Sequence, residues 1–369
     1  MDTLMLGRRI AQAREDAGMT QDGLGRAVEL DRSAISRLEK GDRKVNVPEL
    51  VRIAAALGRP LAFFVSDPVP AVVSRRSDTA HAHATTRLLD VELDQFASDI
   101  RALLRQEVLS GRGERRMLRV PQNHADAERA AESVRIWGDL GSGPIADLGA
   151  ACENLGLYVF AAALGESGAD GACVEVEHAG VVVGAAVLNG DLPAGRRRMT
   201  LAHELGHWVF GDAYDAEASS SSERMINSFA IHFLAPRAGV IGVWNQHQDW
   251  KTHDRALAVG AVFRLSWSAA IGQLRNLGLI DYDQHRALGA HEPSRGDYLR
   301  IGLTWMEELA APYVSPAFTA SVLNAYAGER LTRARTLELL RGTLEEDQLP
   351  TQDRGSLETL RRSFFGHDD

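Results

Sequence analysis

Only two cysteines, Cys152 and Cys173, occur in the 369 residues. Two thiols cannot build a disulfide framework, so the chain suits a reducing compartment. Neither thiol stands in a metal-ligand spacing, and both read as small core residues. No apolar run reaches eighteen residues, which excludes a single-helix membrane span. The opening Met-Asp-Thr-Leu-Met-Leu-Gly-Arg-Arg lacks the ordered charge, apolar core and cleavage site of a signal peptide. The expectation is a cytoplasmic protein with no membrane partner. An excess of basic charge is also missing. The net charge of −9 argues against a nucleic-acid coat, but it is unevenly spread. Residues 1–66 carry eleven Arg/Lys against nine Asp/Glu, leaving −11 on the remainder. A mildly basic end on an acidic body suggests that only the N-terminal piece meets phosphate.

That piece breaks into five short helices. Leu6–Ala17 carries apolar residues at 6, 10, 13 and 17 and ends at Gly18. Thr20 caps a second helix to Val28, and a third runs from about Asp31 to Lys40. Pro48–Leu57, with proline near its start, and Pro60–Val65 follow. Two short helices joined by a tight turn fit a helix-turn-helix, whose second member enters the major groove.

The rest is read as a linker over 67–88, a connecting helix within 89–124, a body over 125–290 and an α-helical region over 291–369. His81 and His83 in the linker have no third partner and read as solvated. Leu88–Leu109 is amphipathic and could pack on the body or pair with its copy. In the body, helices near 127–137 and 144–155 precede a strand at Leu157–Phe160. A hairpin of Ala172–Glu177 and Gly180–Leu188 follows, with its turn at His178-Ala179. The whole is α+β. Helical patterns recur at Tyr298–Leu309, Ser315–Tyr326, Thr332–Leu344 and Leu357–Phe364.

Chemistry concentrates in Arg198-Met-Thr-Leu-Ala-His-Glu-Leu-Gly-His-Trp-Val-Phe210. His203 and His207, four residues apart on a helix, share one face and can point at one Zn²⁺. Glu204 beside them can serve as general base without being a ligand. Gly211 suits the helix C-terminus. A catalytic zinc needs a third protein ligand. Glu223 is the candidate, on a second helix where Glu223, Asn227, Ala230 and Leu234 share a face. Ser220-x-x-Glu223 equally spells a capping box, in which the glutamate only satisfies its helix start. Spacing leaves both roles open. Asn227 is the candidate to orient a histidine, and Tyr214 to donate to an oxyanion. His232 lies on the far side of its helix, while His247 and His253 read as solvent-facing. The strand Val181–Leu188 is expected to offer an edge to an extended substrate. Residues 255–280 look like a further helix–turn–helix used structurally.

Two resemblances follow from these motifs. "GMTQDGLGRAVELDRSAISRLEKGDRKVNVPELVRIAAALG" resembles the Cro/CI-type (XRE) regulators, although Gly23 and Gly25 stand where that family has better helix formers. The resemblance implies that Gln21 contacts the DNA backbone. It places Arg32, Ser33, Ser36 and Arg37 at bases and phosphates and pairs two copies on an operator; Arg43 and Lys44 after the third helix read as phosphate contacts if DNA is bound and otherwise as a solvated loop. "WGDLGSGPIADLGAACENLGLYVF", "RRRMTLAHELGHWVFGD" and "ERMINSFAIHFLAP" resemble the ImmA/IrrE zinc metallopeptidases. That likeness implies a zincin-like domain with a small sheet, a Zn²⁺ cofactor on His203, His207 and Glu223, and a protein substrate such as a repressor. The joint expectation is a homodimeric, operator-binding regulator with a zinc endopeptidase that cleaves itself or a partner. The alternative is a repressor or antitoxin-type regulator whose peptidase-like body senses a ligand or partner without proteolysis.

Overall fold

The computed structural model describes residues 3–59, 61–65, 87–111, 115–211, 220–304 and 307–352. Most of the linker, with His81 and His83, lies outside them, as do Tyr214 and the helix expected at Leu357–Phe364.

The first five helices are α1 (Thr3–Asp16), α2 (Gln21–Ala27), α3 (Arg32–Glu39), α4 (Val47–Ala56) and α5 (Leu61–Val65). Their starts are written in the sequence. Thr20 accepts from Gly23 N at 3.0 Å and Asp31 from Ala34 N at 2.6 Å. Asn46 and Glu49 form a reciprocal capping box. Ile10, Leu24, Val28, Ile35, Leu38, Ile53 and Phe64 close one small core. Gly25 has a packing reason here. A Cβ on it would lie 2.5 Å from the Leu30 carbonyl oxygen, where the chain turns into α3. Gly25→Ala, usually favourable in a helix, is therefore expected to destabilise this domain by about 1–3 kcal/mol in chemical denaturation.

Next come α6 (Arg87–Arg105), α7 (His124–Trp137) and α8 (Leu148–Asn154), then β1 (Leu157–Ala162), β2 (Gly171–His178) and β3 (Val181–Asn189). The long helices α9 (Ala194–Phe210) and α10 (Ser220–Leu234) follow. After them stand α11 (Arg237–Gln246), α12 (Thr252–Phe263), α13 (Trp267–Asn276), α14 (Tyr282–Gly289) and α15 (Arg295–Arg300). The described chain closes with β4 (Tyr313–Val314), α16 (Pro316–Ala327), α17 (Arg333–Leu340) and a short 3₁₀ turn.

The sheet order is β2-β3-β1-β4, with β1 parallel to β3 and the other pairs antiparallel. Strand alternation divides it into two faces. Tyr158, Phe160, Val174, Val176, Val183 and Val187 pack with Leu93, Phe96 and Ile100 of α6 and with Phe318 and Leu339 of the C-terminal helices. Leu157, Val159, Cys173, Ala186 and Leu188 face the core shared with α7 to α10, α12 and α13. The sheet is thus a middle layer, and the apolar stripe of α6 is covered by its own chain. The helices α12 and α13 meet at 108° and bury Leu257, Phe263, Trp267 and Leu274 in that core, as a structural unit does. No single described helix is long and apolar enough to cross a membrane.

Three expectations are corrected. The hairpin turn is Ala179-Gly180, both with positive φ (49° and 81°), and His178 still pairs with Val181. A two-residue turn of this handedness matches strand twist, which Gly180 permits. Val181–Leu188 is not the edge strand, because β3 pairs with β2 along its length and with β1 from Gly184 onward; the end strand beside it is β2. The region after 291 is not wholly helical either. Tyr313 and Val314 pair with Ala161 and Phe160, a strand too short to leave a periodicity.

Candidate metal centre

Helix α9 is buried along nearly its whole length and ends at Gly211 (φ 66°), whose N–H donates to the His207 carbonyl at 3.0 Å. Its first turns carry three arginines, a sign that opposes the positive end of a helix dipole. Each is answered by acid from elsewhere. Arg196 holds Asp170 through two bonds at 2.6 and 2.9 Å. Arg197 pairs with Glu307 and also donates to the Gly190, Leu192 and Glu308 carbonyls. Arg198, fully buried, pairs with Glu308. Burial pushes its guanidinium pKa down and Glu308 pushes it back.

Helix α10 meets α9 at Gly206, where a Cβ would lie 2.8 Å from Ile226 Cγ2 and 3.1 Å from Phe229 Cδ1. That close approach brings Glu223 to the two imidazoles. Its Oε2 lies 3.2 Å from His203 Nε2, and its Oε1 3.6 Å from His207 Nε2. The two Nε2 atoms are 3.0 Å apart. Tetrahedral zinc with ligands at about 2.0–2.1 Å separates its donors by about 3.3 Å. All three donor atoms fall within 4.8 Å of one another, so one divalent ion could bridge them. Asn227, one helical turn after Glu223, has Oδ1 3.1 Å from His203 Nδ1. With the amide oxygen accepting, Nδ1 carries the hydrogen and Nε2 keeps its lone pair for a metal.

Glu204 is fully buried, and among the described residues neither carboxylate oxygen has a hydrogen-bond partner. Burial pushes its carboxyl above the usual range, while His207, His203 and the neighbouring Cys173 thiol pull it back. An orphaned buried carboxylate is costly, so this donor set fits a site completed by a cation and water. Cys173 Sγ donates to the Glu204 carbonyl at 3.6 Å, placing β2 directly beside the centre. Three further histidines among the described residues stand apart. His232 is buried against Gln273 at 3.2 Å, His247 stacks on Trp250, and His253 pairs with Asp254 at 3.1 Å.

In the first domain Arg32, Ser33, Arg37 and Lys44 are exposed and Ser36 is half-buried. Two of the expected DNA contacts hold the domain itself together. Gln21 donates to Glu39 at 2.7 Å, which also takes Arg14 at 2.6 Å. Arg43 clamps the capping Glu49 through two bonds at 2.6 and 3.1 Å. Sequence reasoning missed Glu308. It reaches Arg198 across 110 residues, and nothing local marks it.

Comparison with known families finds a match in each of the two domains. Residues 10–64 match the model described as Helix-turn-helix, and 152–274 that described as IrrE N-terminal-like domain. The chain joins a DNA-binding helix-turn-helix domain of the XRE type to a peptidase-like domain of the IrrE/ImmA kind. Comparison with curated proteins finds no match. The crystal structure of ComR from Streptococcus suis is similar over 78% of this chain and 72% of that one, at 14% identity. Its TM-score is 0.17, a likeness too slight to argue from.

Proposed function

We propose that this protein is a transcription regulator of the cytoplasm with a zinc-dependent endopeptidase built in, cutting either itself or a partner repressor. The reader spans 1–66, the linker 67–88 and the connecting segment 89–124, which holds most of α6. The hydrolase spans 125–290, and within the region 291–369 Glu308 and β4 buttress it. The observation that carries this reading is the convergence of His203, His207 and Glu223 beside the unpartnered carboxylate of Glu204.

Bound zinc supplies Lewis acidity, which makes water a nucleophile near neutral pH and polarises a carbonyl. Glu204 takes the proton from the attacking water and returns it to the leaving amine. Asn227 fixes the His203 ring and its tautomer. The end strand β2, next to Glu204, is the edge along which an extended substrate adds. A zinc content well below one per chain, or candidate repressors left uncut by zinc-loaded wild type and Glu204→Gln alike, would refute the hydrolase. Operator binding that responds to a small molecule without cleavage would favour a sensor instead.

The reader is expected to bind paired half-sites as a homodimer on double-stranded operator DNA. Arg32, Ser33, Ser36 and Arg37 on α3 face the groove, with Lys44 on phosphate. Gln21 and Arg43 reach phosphate while holding Glu39 and Glu49. Arg37→Ala is expected to weaken operator binding by about 1–3 kcal/mol in electrophoretic shifts. Unchanged affinity would remove α3 from the interface.

A further inference from the structure

A cleft of about 800 Å³ opens between the first turns of α9, α10, the loop before β2, and α13. It adjoins the metal centre: Asn227, which holds His203, lines it, while His203, Glu204, His207 and Glu223 do not. Met199 stands one helical turn before His203, and Ile231 one turn after Asn227, so the faces that carry the centre run on into the floor of the cleft. Met199, Ile231 and Ala269 make that floor apolar. Among the described residues of the lining the one cation is Arg196, held bidentately by Asp170. Glu166, exposed at the loop, therefore leaves the lining with a net negative charge.

We propose that this cleft is the side-chain subsite of the peptidase and that it takes a long basic residue, Lys or Arg, adjacent to the scissile bond. The inference rests on the reading of the centre as a peptidase. The aliphatic stem of such a side chain lies along the apolar floor while its charged head stays at the wet rim near Glu166. Acidic side chains meet the same carboxylate and are turned away. The loop that carries Glu166 leads straight into β2 at Gly171. A substrate strand added to β2 would therefore arrive at the cleft's mouth.

Gly272 supplies the test. A Cβ there meets nothing within 4 Å, so a larger side chain grows into the open cleft rather than into its neighbours. Full-length, zinc-loaded Glu204→Gln protein is presented with a positional-scanning library of alanine-based octapeptides, and the bound peptides are sequenced. The expected result is a preference for Lys and Arg over Glu at one position of about five-fold, the size of one part-exposed ion pair. Gly272→Phe in the same background should erase it, Gly272→Ala should keep it, and Glu166→Lys, on an exposed turn, should invert it. A missing preference, an acidic one, or one that survives both Gly272→Phe and Glu166→Lys overturns the proposal. Because binding is read without turnover, a wild type that shows the preference yet hydrolyses nothing sinks the proposed activity and leaves the subsite standing.

Discussion

Glu204→Gln protein should retain one zinc per chain and lose about 10²–10⁴-fold in peptide hydrolysis. The two effects separate because Glu204 adjoins the donor set without belonging to it. The nitrogens and oxygens that converge come from His203, His207 and Glu223, whereas both oxygens of Glu204 are buried and unpartnered. Glutamine fills the same volume, so the helix keeps its packing, but an amide cannot accept the proton. His207→Ala should behave differently and lose zinc with the activity. Chelation should destabilise wild type by the mass-action contribution of the bound ion and leave His207→Ala unmoved. Metal analysis, thermal melts with and without chelator, and cleavage of a candidate repressor read the three effects separately. Full hydrolysis by Glu204→Gln would show that proton transfer runs through another group.

How far the sequence foretells this arrangement depends on the distance over which each feature is written. Features confined to one helical turn are legible. The pairing of His203 with His207, the Gly211 terminus, the Thr20 cap and the amphipathic stripe of α6 all follow from spacing. Glu223 and Asn227 are intermediate cases. Their shared face is readable, but whether Glu223 caps its own helix or turns to the imidazoles depends on how α10 crosses α9. Gly206 decides that crossing by letting the backbones close. Strand neighbours are worse placed. Val181–Leu188 reads as apolar whether it is an edge or an interior strand, and only the parallel pairing with Leu157–Ala162 makes it interior. The partners of Gln21 and Arg43 are hidden for a related reason. Both residues suit phosphate by type, and only the folded domain shows that Glu39 and Glu49 engage them.

Glu308→Ala, distant in sequence from the centre, is expected to destabilise the second domain by about 3–5 kcal/mol, because it leaves a buried arginine uncompensated. Arg198 lies in the first half of α9 with no solvent exposure, and its remaining contact is the Ile145 carbonyl at 3.3 Å. Glu308 does more than neutralise it. One oxygen accepts from Leu148 N at 2.6 Å at the start of α8, and the other takes Arg264 at 3.1 Å. A single carboxylate thus ties α9 to α8 and to the turn after α12. Its loss should lower the melting midpoint by roughly 10 °C and, by loosening the start of α9, raise the zinc dissociation constant. Glu308→Gln should fall between wild type and Glu308→Ala, since an amide oxygen can still accept from Leu148 N. Adding Arg198→Met to Glu308→Ala should recover most of the stability, because removing both charges of a buried pair costs far less than removing one. A Glu308→Ala loss below about 1 kcal/mol would place Arg198 among surface pairs in energetic terms. The N-terminal half of the metal helix would then be held by Arg196 and Arg197 instead.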